Sequence, residues 1–273
     1  MIVFPSCKIN LGLNIVAKRN DGFHNIETCF FPITSLSDVL EIVPNKHFAF
    51  FQTGIPIQGN EDNNLVVKAF KLFQQHTHCG NVNISLHKCI PTGAGLGGGS
   101  ADATFTLLLL NDLFKTHLSV AQLVVMASQL GSDCAFFIQN QPSIGKGLGN
   151  ELNPITIPQL QNCYIMLVKP NLFISTADAY NNCRPQQPTI SIAEILALPI
   201  EQWKNLLIND FEKTLFPLYP QLEEVKNIFY HHGAVYASLS GSGATVFGIF
   251  RQTPPNINWE KDYFVASSQI SVL

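Results

Sequence analysis

The run Pro91-Thr92-Gly93-Ala94-Gly95-Leu96-Gly97-Gly98-Gly99-Ser100-Ala101-Asp102-Ala103 decides how this chain is read. Five glycines fall within Gly93 to Gly99, and a mostly apolar helical segment, Ala101 to Phe114, follows at once. Glycines tolerate positive φ and let a backbone approach its ligand closely, so the amides of such a run lie open to an anion. A helix start adds unpaired N–H groups and about half a positive charge. The pattern predicts a polyphosphate cradle. Gly93-Ala94-Gly95-Leu96-Gly97-Gly98 has the spacing of a dinucleotide loop. That site also wants a buried strand before it and a βαβ unit around it, whereas here the preceding segment alternates and a second helix follows the first. A Walker A loop needs Lys after its last glycine, and Gly99 is followed by Ser100. An idle surface turn would spend chain entropy without a purpose.

The composition agrees with a dedicated loop. The 273 residues suit one large domain or two of ordinary size, with 46% hydrophobic and 13% charged residues. A net charge of −3 gives no broad attraction to nucleic acid or to an anionic membrane, so an anionic small molecule has to be captured locally. The cysteines Cys7, Cys29, Cys79, Cys89, Cys134, Cys163 and Cys183 are scattered and form no CxxC pair, which predicts free thiols in a reducing cytoplasm. Met1-Ile2-Val3-Phe4-Pro5 does not read as a targeting peptide, and the apolar run around Leu107–Leu110 is too short to span a bilayer.

Period-two alternation predicts strands over Lys8–Val16, Asn25–Ile33, Val39–Val43 and Val82–Leu86, with an Asn20-Asp21-Gly22 turn between the first two. Helical spacing covers Asn64–Gln75, and Ser119 is placed to cap a helix over Val120–Leu130 that Gly131 ends. Gly145–Gly149 and Pro154–Pro158 read as a loop-rich stretch, and the domain boundary is set there, giving domains 1–154 and 155–273. Beyond it come a strand (Cys163–Val168), helices (Ile192–Ala197, Ile200–Leu207, Gln221–His231) and two strands (Ala234–Ser238, Val246–Phe250) around a second glycine turn, Leu239-Ser240-Gly241-Ser242-Gly243-Ala244-Thr245. Strands and helices mix without strict βαβ alternation, which predicts α+β.

Three segments then converge. Pro91 to Ser100 resembles the ATP-binding motif of the GHMP kinases, Pro5-Ser6-Cys7-Lys8-Ile9-Asn10-Leu11 resembles their N-terminal motif, and Leu239 to Ala244 resembles their C-terminal glycine motif, in the same order. The resemblance implies a two-domain fold, with an N-terminal domain like ribosomal protein S5 domain 2 and a C-terminal ferredoxin-like α/β sandwich. Asp21-Gly22-Phe23-His24 and Gly131-Ser132-Asp133 narrow it to the branch whose acceptor is a cytidine-diphosphate-linked methylerythritol, phosphorylated by ATP on its 2-hydroxyl on the non-mevalonate route to isoprenoids. Rival readings are another GHMP small-molecule kinase, of homoserine or mevalonate type, and a non-catalytic nucleotide-binding member of the fold. Cys7 replaces the family's usual Ala, and Cys134-Ala135 its usual Val-Pro.

By the same resemblance, Lys8 and Asp133 are the catalytic pair. Pro91, Gly93, Ala94, Gly95, Leu96, Gly97, Gly98, Gly99, Ser100 and Ala101 hold ATP, with Asn64 and Lys88 on its adenosine side. Ser100 is also the candidate for Mg²⁺, with a helix N-cap as its other reading. Asn10, Phe23, His24, Phe30, Tyr180, Ser240, Gly241 and Gly243 are expected on the substrate, His24 reading the cytosine edge and Tyr180 supplying a ring against the base. GHMP kinases occur as monomers and homodimers, and the resemblance does not choose between them.

Overall fold

The structure, a computed structural model, describes residues 1–181 and 183–271. They form two compact units that do not follow one another along the chain. The first comprises residues 1–7, 36–92 and 97–140, and the second comprises 8–35, 93–96 and 141–273.

In the first unit, β1 (Ile2–Val3), β4 (Val39–Pro44), β5 (Ala49–Gly54) and β6 (Val82–Lys88) form a sheet of order β1-β4-β6-β5, in which only β5 and β6 run parallel. Helices α1 (Leu65–Thr77), α2 (Gly98–Phe114), α3 (Val120–Leu130) and the short α4 (Phe136–Gln139) complete it. Val66, Ala69, Phe70 and Phe73 recur at helical spacing along α1 and meet Ile42, Ile84, Leu107, Leu110 and Met126 in one core. Ser119 caps α3 as its sequence predicts, in a full capping box with Gln122. Ser119→Ala should lower stability by about 1 kcal/mol, read as a shift of the denaturant midpoint with unchanged slope.

The second unit holds β2 (Ser6–Lys18), β3 (His24–Ser37), β7 (Ser143–Lys146) and β8 (Glu151–Pro154) in the order β2-β3-β7-β8. It also holds β9 (Tyr164–Lys169), β10 (Tyr236–Leu239), β11 (Val246–Phe250) and β12 (Phe264–Gln269), ordered β10-β11-β9-β12 and antiparallel throughout. Helices α5 (Thr176–Asn181), α6 (Ile192–Leu196), α7 (Trp203–Leu206), α8 (Glu212–Leu218) and α9 (Pro220–His231) accompany them. Leu13, Ile15, Val168, Phe211, Val225, Phe229 and Val246 form its core. Residues 8–35 and the stretch after 140 share a unit because β3 bonds β7, pairing Phe30 with Ser143.

Several elements differ from the sequence reading. The glycine-rich 145–149 stretch is a hairpin turn between β7 and β8, with Gly145 inside a strand. Residues 200–207 divide into a 3₁₀ turn (Ile200–Gln202) and α7. Helix α2 starts at Gly98, a turn earlier than its apolar pattern indicates, because the amides of Gly98 to Ser100 already lie in helical geometry.

Candidate functional site

In the second unit the site grows from β2. Alternation along this strand puts Ile9, Leu11 and Leu13 on one face and Lys8 and Asn10 on the other, all buried. Lys8 is 3% exposed, and a buried ammonium needs polar partners. Its Nζ donates to Asn10 Oδ1 at 2.7 Å and to Gly95 O at 3.1 Å, above the Phe30 ring at 5.4 Å from the centroid. Its own amide donates to Leu96 O at 2.9 Å, so main chain and side chain both grip the glycine loop. Asn10 Nδ2 donates to Thr28 Oγ1 (2.9 Å), which donates on to Gly12 O (2.6 Å). Asn10, expected on the substrate, therefore holds Lys8 with one arm and Thr28 with the other. Phe30, expected near the cytidine, is a correction: at 1% exposed it is a core ring beneath Lys8.

The two glycine turns interlock here. Gly95 has φ +73°, and a Cβ on it would lie 2.0 Å from Ser240 O. Ser240 Oγ donates to Gly95 O at 2.9 Å, and Thr245 N donates to Ala94 O at 3.2 Å. Gly243 N donates to Ser240 O at 3.0 Å and closes the second turn, and Gly241 faces Asn10 Oδ1. Asn209 supports this turn and was not anticipated from sequence. Only 1% exposed, it donates through Nδ2 to Leu239 O (2.8 Å) and Gly241 O (2.9 Å) and accepts from Phe211 N (3.0 Å). A lone Asn after Ile208 carries no local signal of such a role.

The aromatic group of this unit is partly as expected. His24 and Tyr180 stack at 5.0 Å between centroids and 15° between planes, and Tyr180 meets the Phe211 ring edge-on. The two rings touch each other, leaving no slot for a base between them. Phe23, next to His24, is 63% exposed. Burial, helped by Lys18, pulls the His24 imidazole below its ordinary value, so it is neutral at pH 7.

In the first unit, Gly97 at φ +69° begins α2 without a side-chain cap, and Ala101 N→Gly97 O (2.9 Å) is the first helical bond. No side chain caps this end, where the N–H groups of a helix start point outward. Ser100 is the third helical residue and not the N-cap. Burial pushes the neighbouring Cys134 thiol up to about 11 against a lowering influence of the Ser100 hydroxyl, so Cys134 stays a thiol at pH 7. Asp133, half-buried, lies in the 131–135 turn, where Cys134 N donates to Gly131 O (3.1 Å) and Thr104 Oγ1 ties Cys134 O to α2 (2.9 Å). Asp133 is not a helix cap, since Ala135 precedes α4. Asn64 caps α1, accepting from Val66 N at 2.9 Å.

Lys88, expected beside the adenosine, is a second correction. It is 2% exposed, and its Nζ pairs with Asp38 and, at 2.7 Å, with Asp102. Burial opposes its charge, but the two carboxylates outweigh burial and hold the ammonium charged. Burial pushes the Asp102 carboxyl up; Lys88 pulls it back and Asp38 pushes it further up. Among the described residues no cluster of three or more His, Cys, Asp or Glu can hold a metal, and no helix is long and apolar enough to cross a membrane. The seven cysteines are free thiols.

Comparison with known proteins adds independent findings. The family descriptions GHMP kinases N terminal domain and GHMP kinases C terminal match residues 64–141 and 192–257. The 4-diphosphocytidyl-2-C-methyl-D-erythritol kinase of Bacteroides fragilis is 50% identical over 92% of each chain. A crystal structure of 4-(cytidine 5'-diphospho)-2C-methyl-D-erythritol kinase superposes with TM-score 0.77 at 31% identity, covering 91% of this chain and 89% of that one. Mevalonate kinase from Methanococcus jannaschii matches at TM-score 0.70 and 15% identity over 99% of this chain and 98% of its own, a likeness of fold.

Proposed function

Since the chain belongs to the GHMP kinases, and among them to the 4-diphosphocytidyl-2-C-methyl-D-erythritol kinases, we propose that it transfers the γ-phosphoryl group of ATP to the 2-hydroxyl of 4-diphosphocytidyl-2-C-methyl-D-erythritol. The observation that carries the reading is the uncapped, glycine-led start of α2, whose open N–H groups suit an anion such as a polyphosphate. A homoserine or mevalonate acceptor has less support, since the mevalonate kinase likeness is one of fold alone.

The chemistry asks mainly for positioning and charge neutralisation. The amides of Gly97 to Ser100 and the helix dipole hold the phosphates, and Gly93 to Leu96 carries the same loop into the second unit. Lys8 offsets the charge of the transferring group. Asp133 accepts the hydroxyl proton as the new O–P bond forms and the bond to the bridging oxygen of ADP breaks, ADP keeping that electron pair. Asp133 both aims the hydroxyl and takes its proton, late in the transfer, as phosphoryl-group chemistry requires of a positioned acceptor. The Ser100 hydroxyl, on the first turn of α2, would help hold Mg²⁺, which would supply neutralisation of phosphate charge.

The exposed Phe23 ring and the stacked His24–Tyr180 pair receive the cytosine, the base lying on the outside of the pair and its edge meeting the neutral imidazole. Tyr180→Ala should raise the KM for the acceptor by about 5- to 150-fold, the loss of one base–aromatic stack. Because the His24 value is depressed, that KM should stay flat down to about pH 6.5, the ordinary imidazole value, and rise only below it. We also propose the division 1–154 and 155–273 for the two family domains, whose matched spans fall on either side of it, and a cytoplasmic location consistent with free thiols. The test is ADP release coupled to phosphate analysis of the product, with 4-diphosphocytidyl-2-C-methyl-D-erythritol, homoserine and mevalonate offered in turn. Turnover of only one of the latter two would refute the acceptor, and turnover of none would refute the kinase.

A further inference from the structure

We propose that Asp38, Lys88 and Asp102 form a buried clamp that fixes both ends of the phosphate loop, making them positioning residues for ATP that do not touch it. The inference rests on the kinase reading above.

Three elements meet at one ammonium. Asp38 stands between β3 and β4, Lys88 is the last residue of β6, and Asp102 is the fifth residue of α2. Asp38 is fully buried; its Oδ1 accepts from Cys89 N at 2.6 Å and Ile90 N at 2.8 Å, and its Oδ2 accepts from Lys88. This fixes the direction in which the chain leaves β6 toward Pro91. At the far end of the loop, Lys88 Nζ donates to Asp102 Oδ2 at 2.7 Å, fixing the first turns of the helix. A Cβ on Gly98 would come within 3.3 Å of that Nζ and 2.8 Å of Ile90, so the ammonium lies directly under the first helical residue. The side-chain hydroxyl of Thr106 donates to Asp102 O, one turn further along.

Stability alone is a poor reason for such a cluster. Burying an ammonium between two carboxyl groups costs much of what their attraction returns, and well-packed apolar residues commonly serve a core equally well. Asp102 Oδ1 is buried without a hydrogen-bond partner, a further cost. What the clamp supplies and an apolar core does not is a directional hold on the backbone. The amides that receive the phosphates are carried by the segment between the two clamped ends, and small displacements of such donors weaken binding strongly.

The test compares the wild-type enzyme with Lys88→Met/Asp102→Leu, which replaces the ion pair by apolar side chains. The expected result is a chain that still folds, with a thermal midpoint lowered because Asp38 loses its cation, a KM for ATP raised about tenfold or more, and an acceptor KM within about twofold. Calorimetric titration of ATP should show the same loss of affinity. An unchanged KM for ATP in the folded variant overturns the proposal, and so does an equal rise in both KM values, which would mark a general loosening. If the double variant does not fold, Asp102→Asn, which preserves shape, decides. A rise of about threefold or more confined to ATP supports the clamp, and no rise overturns it. Failure of the wild-type chain to use ATP falls on the kinase reading alone.

Discussion

Replacing Asp133 by Asn should lower kcat by about 10²- to 10⁴-fold, the usual worth of a positioned proton acceptor, while the KM for ATP stays within about twofold. The residue lies in the 131–135 turn that Thr104 ties to α2, and an amide of the same shape leaves that turn intact. On the proposed mechanism, what changes is the capacity to take the hydroxyl proton. Single-turnover measurements at saturating substrates separate the chemical step from product release. Near-normal turnover would remove Asp133 from the reaction, and a loss expressed only as weaker acceptor binding would reduce its role to orientation. Asp133→Glu retains the proton acceptor but displaces it, so an intermediate rate is expected there.

Gly95→Ala should weaken ATP binding by about 100-fold or more, about 2.7 kcal/mol. Two costs combine. The backbone sits at φ +73°, a region that costs an ordinary L-residue about 1–2 kcal/mol, and the added methyl would lie 2.0 Å from the carbonyl oxygen of Ser240. That carbonyl cannot retreat cheaply, because Ser240 is fully buried and its neighbours are held by Asn209. One of the two turns has to move, and the bonds from Lys8 and Ser240 to Gly95 O go with it. Gly80→Ala is the control, since its Cβ would meet only the Phe114 ring at 3.7 Å. Equal ATP affinity in Gly95→Ala and Gly80→Ala would show that the interlocked turns do not shape the phosphate site.

The elements that sequence disclosed are those whose signals are local. The Ser119 capping box, the periodic face of α1 and the short strand Val246–Phe250 each declare themselves within a few residues. The β7–β8 hairpin was hidden because the glycines that make its turn are the residues that also mark loops, and β5 and β12 owe their extended state to neighbours distant in sequence. The site divides in the same way. The glycine loop, Lys8 and the second glycine turn were visible as motifs. Phe30 and Lys88 were visible as residue types, but their burial was not, so a core ring and a buried cation were read as ligand contacts. Asn209, Asp38 and Asp102 act on backbone or charge far away in sequence, and single polar residues give no warning of that.

The contact between Gly95 and Ser240 also bears on inheritance. Two turns separated by 145 positions share a fit so close that Gly95 has no room for one extra carbon against Ser240. A change tolerated in one is screened against the shape of the other, so the two motifs are expected to vary as a unit. A chimera that joins the front of this chain to the back of a distant GHMP kinase would bring together turns with separate histories. Its loss of activity should be recoverable by restoring Leu239 to Thr245 alone.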